Sequence, residues 1–209
     1  MRGGPWVAVY EPRLERGHRR VVYATQGKAK IPGRFAIDWM RPTSSSAQGP
    51  DLVLEEGATI EVLSIADGVI AATRDGVPEP GPNERPDVSL EDATGNYISL
   101  RITPDRYVFY EHLLPGLLVR PGDQVKRGQV IAQVGSTGQA NRPHLHLHLA
   151  DSDSPLDAEG FPYALEEAEV IGTYRSIEEF DRGAPWEKLS RPSTLRSIPG
   201  PNVVIQFPK

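Results

Sequence analysis

The segment Pro143-His144-Leu145-His146-Leu147-His148-Leu149 alternates imidazole and leucine without a break. A strand sends successive side chains to opposite faces. The segment therefore predicts a β-strand with its imidazoles on one face and its leucines on the other. The leucine face is built for burial. The histidine face is a row of ring nitrogens about 6.6 Å apart along the strand. The chain has only five histidines, His18, His112, His144, His146 and His148, so this one strand concentrates most of them. Nitrogens at i and i+2 can converge on one metal ion or one substrate, and neutral imidazole is both a common metal ligand and the usual general base near neutrality. His144 and His148 would lie about 13 Å apart, too far to share one ion, so the three have different roles.

The rest of the chain reads as strands joined by turns. Gly and Pro number 20 each among 209 residues, which argues against a helical bundle. Short β-like pieces are expected at Trp6–Tyr10, Val21–Ala24, Phe35–Met40, Thr59–Ile65 and Gly68–Thr73. Tyr97–Thr103 and Tyr107–His112 alternate around Pro104-Asp105 and predict a hairpin. Val125 and Gln129–Val134 are expected to form another strand pair. Arg41–Asp51 and Asp75–Asp92 read as long loops walling a groove. Leu165–Val170 and Ile177–Arg182 read as short helical turns, and Asn202–Phe207 as a final strand. The expected fold is all-β, a twisted antiparallel sheet with long loops and a C-terminal extension. Three stretches are expected: an N-terminal segment over 1–33, a site-bearing domain over 34–151 and the extension over 152–209.

Several function classes are excluded or disfavoured. A net charge of −5 does not suit a nucleic-acid binder. The absence of cysteine removes disulfide scaffolds, thiolate metal sites and thiol nucleophiles. No apolar run is long enough to span a membrane, and the opening residues have no apolar core of a secretory signal. No His-Glu-x-x-His, phosphate-binding loop or nucleophile-elbow motif occurs.

From Tyr107 to Asp151 the motifs fall in a familiar order. They are Tyr110-Glu111-His112-Leu113, Gly122-Asp123-Gln124-Val125-Lys126-Arg127-Gly128-Gln129, Gly135-Ser136-Thr137-Gly138 and Pro143-His144-Leu145-His146. Upstream stand Ala66-Asp67-Gly68-Val69-Ile70 and Gly95-Asn96-Tyr97-Ile98. As a set these resemble the LytM/lysostaphin-like zinc metallopeptidases, the M23 family of peptidoglycan endopeptidases, over about Arg34 to Asp151. The resemblance implies Zn2+ as cofactor and a peptidoglycan peptide as substrate, with work in the cell envelope or outside the cell. It implies His146 and Asp38 as zinc ligands and His112 and His144 as catalytic histidines that orient the attacking water and stabilise charge on the tetrahedral intermediate.

One position departs from the pattern. The family's His-x-x-x-Asp reads Arg34-x-x-x-Asp38 here. Arginine presents only donors and cannot ligate zinc as found in proteins. On a strand Arg34 would share a face with Asp38 and could pair with its carboxylate. The chain resembles a subset of the family with Arg-Phe-Ala-Ile-Asp at this point and a His-Leu-His-x-His strand. His148 or His18 would supply the third ligand, and His148, beside His146 on the correct face, is the one taken with Asp38 and His146. Two other readings remain. One is a degenerate LytM-type domain acting as a cell-wall binding or regulatory module. The other is a lipoyl-like or phosphocarrier domain, which would need a lysine between methionines or a phosphorylated histidine pair.

Overall fold

The computed structural model describes residues 1–13, 15, 17–42, 59–81, 84 and 87–208. Among the described residues fifteen strands alternate with short turns, and the α-helix is Ile177–Asp181. The expected all-β architecture is what the chain adopts. The principal sheet is eleven-stranded and antiparallel. Its centre is built from β1 (Trp6–Val9), β4 (Ile37–Met40), β11 (Leu145–Ala150), β8 (Arg106–Leu113) and β7 (Asn96–Thr103), in that spatial order. β7 and β8 form the hairpin expected around Pro104-Asp105.

The leucine face of β11 does what its pattern predicts. Leu145 and Leu147 are buried in the main core with Ile37, Trp39, Ile98 and Tyr110, and Leu149 packs against its edge. Trp39 follows Asp38 on β4, points to the core face, and is fully buried. Its ring meets Phe207 edge-on at a centroid distance of 5.4 Å, joining the centre of the sheet to the C-terminal segment. Truncating such a side chain leaves a cavity as well as losing apolar burial. Trp39→Ala is expected to cost about 3–5 kcal/mol, read as a shift of the urea midpoint at unchanged slope.

Some local expectations differ. Val125 and Gln129–Val134 are strands but not partners. β9 (Gln124–Val125) pairs with β6 (Gly68–Arg74), whereas β10 (Val130–Gln133) pairs with β5 (Glu61–Leu63). The region expected as helical turns at 165–170 opens the strand β13 (Ala168–Thr173), which bridges β14 (Glu187–Leu195) and β15 (Val203–Gln206). β14 carries charge and Pro192 where apolar alternation would stand, because as an exposed edge strand it buries almost nothing. Phe35 belongs to a 3-10 turn, Pro32–Phe35, and the strand starts at Ile37. The groove wall expected at Arg41–Asp51 lies outside the described residues beyond Pro42.

Candidate metal centre

The order β4, β11, β8 sets three polar positions in one row. His146 is paired across to Asp38 on one side and to Glu111 on the other. In an antiparallel sheet, residues directly opposite share a face. Asp38, His146 and Glu111 therefore stand side by side on the face opposite the leucine core. His148, one pleat further along, lies opposite Phe109, and the two rings stack at 4.9 Å with 8° between their planes.

His112 reaches this face by a departure from strand geometry. Alternation from Glu111 would send it to the core side with Tyr110. Its φ of 62° is left-handed, a conformation that non-glycine residues rarely adopt. The β7–β8 register shifts between Asn96 and Ile98, beside this point. The turn of the backbone brings the ring to 4.8 Å from that of His144 and 5.8 Å from that of His146. Such a conformation costs on the order of 1–3 kcal/mol and persists only where the surroundings fix it. Here His112 N donates to Thr94 O at 3.0 Å, and Nδ1 lies 2.8 Å from Thr137 O. Facing a carbonyl, Nδ1 must carry the proton, which leaves Nε2 as a lone pair. Thr137 is itself held by Asn96 N and Leu113 O through its hydroxyl, and Ser136 is gripped by the Glu79 carboxylate at 2.8 and 2.7 Å. Tyr110 sits in the core, where its hydroxyl accepts from Ile65 N at 2.9 Å.

His18 arrives from the N-terminal segment. A 3-10 turn, His18–Arg20, docks on the 3-10 turn Pro32–Phe35. Arg19 anchors it, donating to Ala36 O at 2.8 Å with its guanidinium 3.5 Å from the centre of the Tyr10 ring. A Cβ on Gly33 would come 3.2 Å from His18 O, so the two turns meet closely. His18 Nδ1 then lies 3.6 Å from Asp38 Oδ2, and its ring meets that of His146 edge-on at 4.6 Å.

Arg34 does not pair with Asp38. Its turn points it the other way, to Glu159 Oε1 at 2.7 Å, and the other Glu159 oxygen accepts from Ile31 N at 3.1 Å. The physical reason is that residue 34 lies in a turn rather than on the strand, so the i, i+4 face relation does not apply. Asp38 is thereby left to imidazoles alone. Its Oδ1 accepts from His146 Nδ1 at 2.8 Å and lies 3.6 Å from His144 Nε2. His144 Nδ1 is satisfied by Arg142 O at 2.8 Å.

Burial works against the Asp38 anion, but His18, His144 and His146 outweigh it and hold its carboxyl well below the usual range. Burial lowers His18 to about 4 and holds His112 and His148 well below the ordinary imidazole value. These rings are neutral at pH 7, the state that ligation and base catalysis require. His146 is raised, because the Glu111 and Asp38 carboxylates overcome its burial. Burial pushes Glu111 up to about 7.

Ligand atoms of His18, Asp38 and His146 lie within 4.8 Å of one another, and so do those of Glu111, His146 and His148. Two nitrogens and one carboxylate suit zinc or a similar borderline cation. The residues singled out in the sequence, Asp38, His112, His144, His146, His18 and His148, line one cleft of about 550 Å3. Glu111 was missed. Its signal was a lone carboxylate in the otherwise apolar run Val108-Phe109-Tyr110.

The profile of peptidase family M23 matches residues 45–158, more than half of the chain. The chain belongs to peptidase family M23. The match contains Glu111, His112, His144, His146 and His148, while His18, Arg34 and Asp38 precede it. Among curated M23-like relatives, the chain is similar to peptidoglycan DD-endopeptidase ShyA of Vibrio cholerae, 28% identical over 148 residues, 69% of this chain and 30% of that protein. It is also similar to ShyB of the same organism, 41% identical over 64 residues, 31% of this chain and 15% of that protein. It thus spans less than a third of the length of these relatives. Among solved structures it is similar to the catalytic domain of the prophage-encoded M23 protein EnpA from Enterococcus faecalis, with 16% identity and a TM-score of 0.45 over 77% of this chain and 91% of that one. The lysostaphin catalytic domain from Staphylococcus simulans gives 22% and 0.40 over 76% and 86%.

Proposed function

We propose that the chain is a zinc-dependent endopeptidase domain that hydrolyses peptide bonds of peptidoglycan, with zinc held by His18, Asp38 and His146. The observation that carries the reading is the convergence of those three side chains beside the adjacent rings of His112 and His144. Family membership supports the peptidase chemistry, and relatives named as peptidoglycan DD-endopeptidases support the substrate. His18 takes the third position ahead of His148 because His18 faces Asp38, whereas His148 Nδ1 faces Glu111 at 3.9 Å. A bound zinc supplies Lewis acidity and lowers the pKa of a water towards 7.

The chain's own residues do the rest. Asp38 orients the His146 ring through the Nδ1 bond in the metal-free protein, so that both groups already face the position the zinc would take. His112 offers the Nε2 lone pair as the base for the attacking water and returns the proton to the leaving amine. His144, its Nδ1 facing Arg142 O, presents Nε2 to the cleft, where with a proton on that nitrogen it stabilises charge on the tetrahedral intermediate. Val21, Tyr23, Leu90 and Asn141 contribute to the cleft walls that would receive the peptide. Such a substrate places the domain's work in the cell envelope or outside the cell, and no helix among the described residues is long and apolar enough to cross a membrane.

The test is zinc content of the purified protein together with release of soluble peptides from purified peptidoglycan. A chelator is expected to abolish release, and added zinc to restore it. His18→Ala is expected to weaken zinc binding by about 10–100-fold. Protein that folds normally, takes up no zinc and releases nothing would overturn this reading, and co-sedimentation with purified peptidoglycan would then test the non-catalytic wall-binding one.

A further inference from the structure

The two nitrogens of His146 face different carboxylates. Nδ1 is bonded to Asp38 at 2.8 Å, and Nε2 points across the strand to Glu111 Oε2 at 3.9 Å. Beyond it, Glu111 Oε1 lies 3.9 Å from His148 Nδ1. His148 is 2% exposed, and neither of its ring nitrogens has a hydrogen-bond partner. Buried imidazole nitrogens are normally satisfied, and leaving one unpaired costs about 1–3 kcal/mol. The stacked Phe109 ring fixes the plane of His148, so the orphaned nitrogens are held in place. Glu111 is also buried, directly after the apolar run Val108-Phe109-Tyr110. A carboxylate and two imidazoles brought this close in a buried pocket, one imidazole wholly unsatisfied, lack a common partner.

We propose that Glu111, His148 and the Nε2 side of His146 form a second divalent-cation position, back to back with that of His18 and Asp38. It rests on the proposed function only in sharing His146 with it. The donor set, two nitrogens and one carboxylate, selects zinc, cobalt or a similar borderline cation over calcium or magnesium. A ring holding a cation on each nitrogen has given up its N–H proton, which goes to solvent. The second cation neutralises Glu111 and satisfies His148.

The test titrates the metal-free full chain with zinc chloride by calorimetry, and with cobalt chloride by visible absorption. The wild type is expected to bind two equivalents, the second with release of a proton, seen as a dependence of the heat on the buffer's ionisation enthalpy. Glu111→Gln and His148→Gln are each expected to retain one equivalent and to lose at least about 10-fold in the second step. His18→Gln is expected to weaken the first step and keep the second. One equivalent of equal affinity in wild type, Glu111→Gln and His148→Gln overturns the proposal. One equivalent lost in Glu111→Gln but kept in His18→Gln upholds this position and overturns the His18 triad. The cobalt spectrum of the wild type reads the count even if a variant fails to fold.

Discussion

His146→Ala is expected to leave a folded chain that holds no zinc and releases no peptide. Among the described residues His146 is the one side chain with a nitrogen facing Asp38 and another facing Glu111, so its loss takes a ligand from both donor groups at once. With binding energies of about 10–16 kcal/mol spread over four ligands of a zinc site, one ligand is worth roughly 3 kcal/mol or about a hundred-fold. Losing the shared ligand is expected to weaken zinc by more than that, to about 1,000-fold. The metal-free protein also suffers, because the Asp38 carboxylate loses its 2.8 Å donor, at about 1–3 kcal/mol. Equilibrium dialysis reads the first effect and the urea midpoint of the metal-free protein the second, while peptide release follows the zinc. Zinc affinity within 10-fold of wild type would remove His146 from the ligand set.

His112→Ala tests the other half of the site. As the base, His112 is expected to contribute about 10²–10⁴ in kcat. Zinc affinity should stay within a few-fold, because His112 lies outside both ligand groups. The left-handed φ of 62° adds a second readout. Alanine inherits that strain, whereas glycine does not. His112→Gly is therefore expected to melt at or above His112→Ala even though both are inactive. Glycine melting well below alanine would mean that the backbone there is not strained.

The parts of this molecule most legible in its sequence are those governed by a short period. The alternation of β11 foretold both its buried leucines and its shared imidazole face, and the hairpin of β7 and β8 followed from the same rule. The resemblance carried by the four motifs led to the family. What escaped was set by departures from periodicity or by contacts between distant segments. A single left-handed residue moved His112 to the face opposite Tyr110, which no alternation rule can reveal. Glu111 becomes a site residue only because β8 lies beside β11 in a particular register. Arg34 was read as a rival for Asp38, yet Glu159, 125 residues away, holds it elsewhere. β14 was invisible because an exposed edge strand need not be apolar.

The docking of the His18 turn onto the Pro32–Phe35 turn means that the proposed zinc ligands are gathered from three separate stretches of chain. An ion held there would act as a clasp on the N-terminal segment, since ordering a flexible stretch costs conformational entropy that each ligand bond offsets. Zinc would then protect the residues around Arg19 from proteases as well as serve the chemistry. A fragment trimmed to begin at residue 45, where the family match starts, would keep His112, His144 and His146 and the four motifs between Tyr110 and His146. It would nonetheless lack both His18 and Asp38, and would look like a peptidase while being unable to hold its metal.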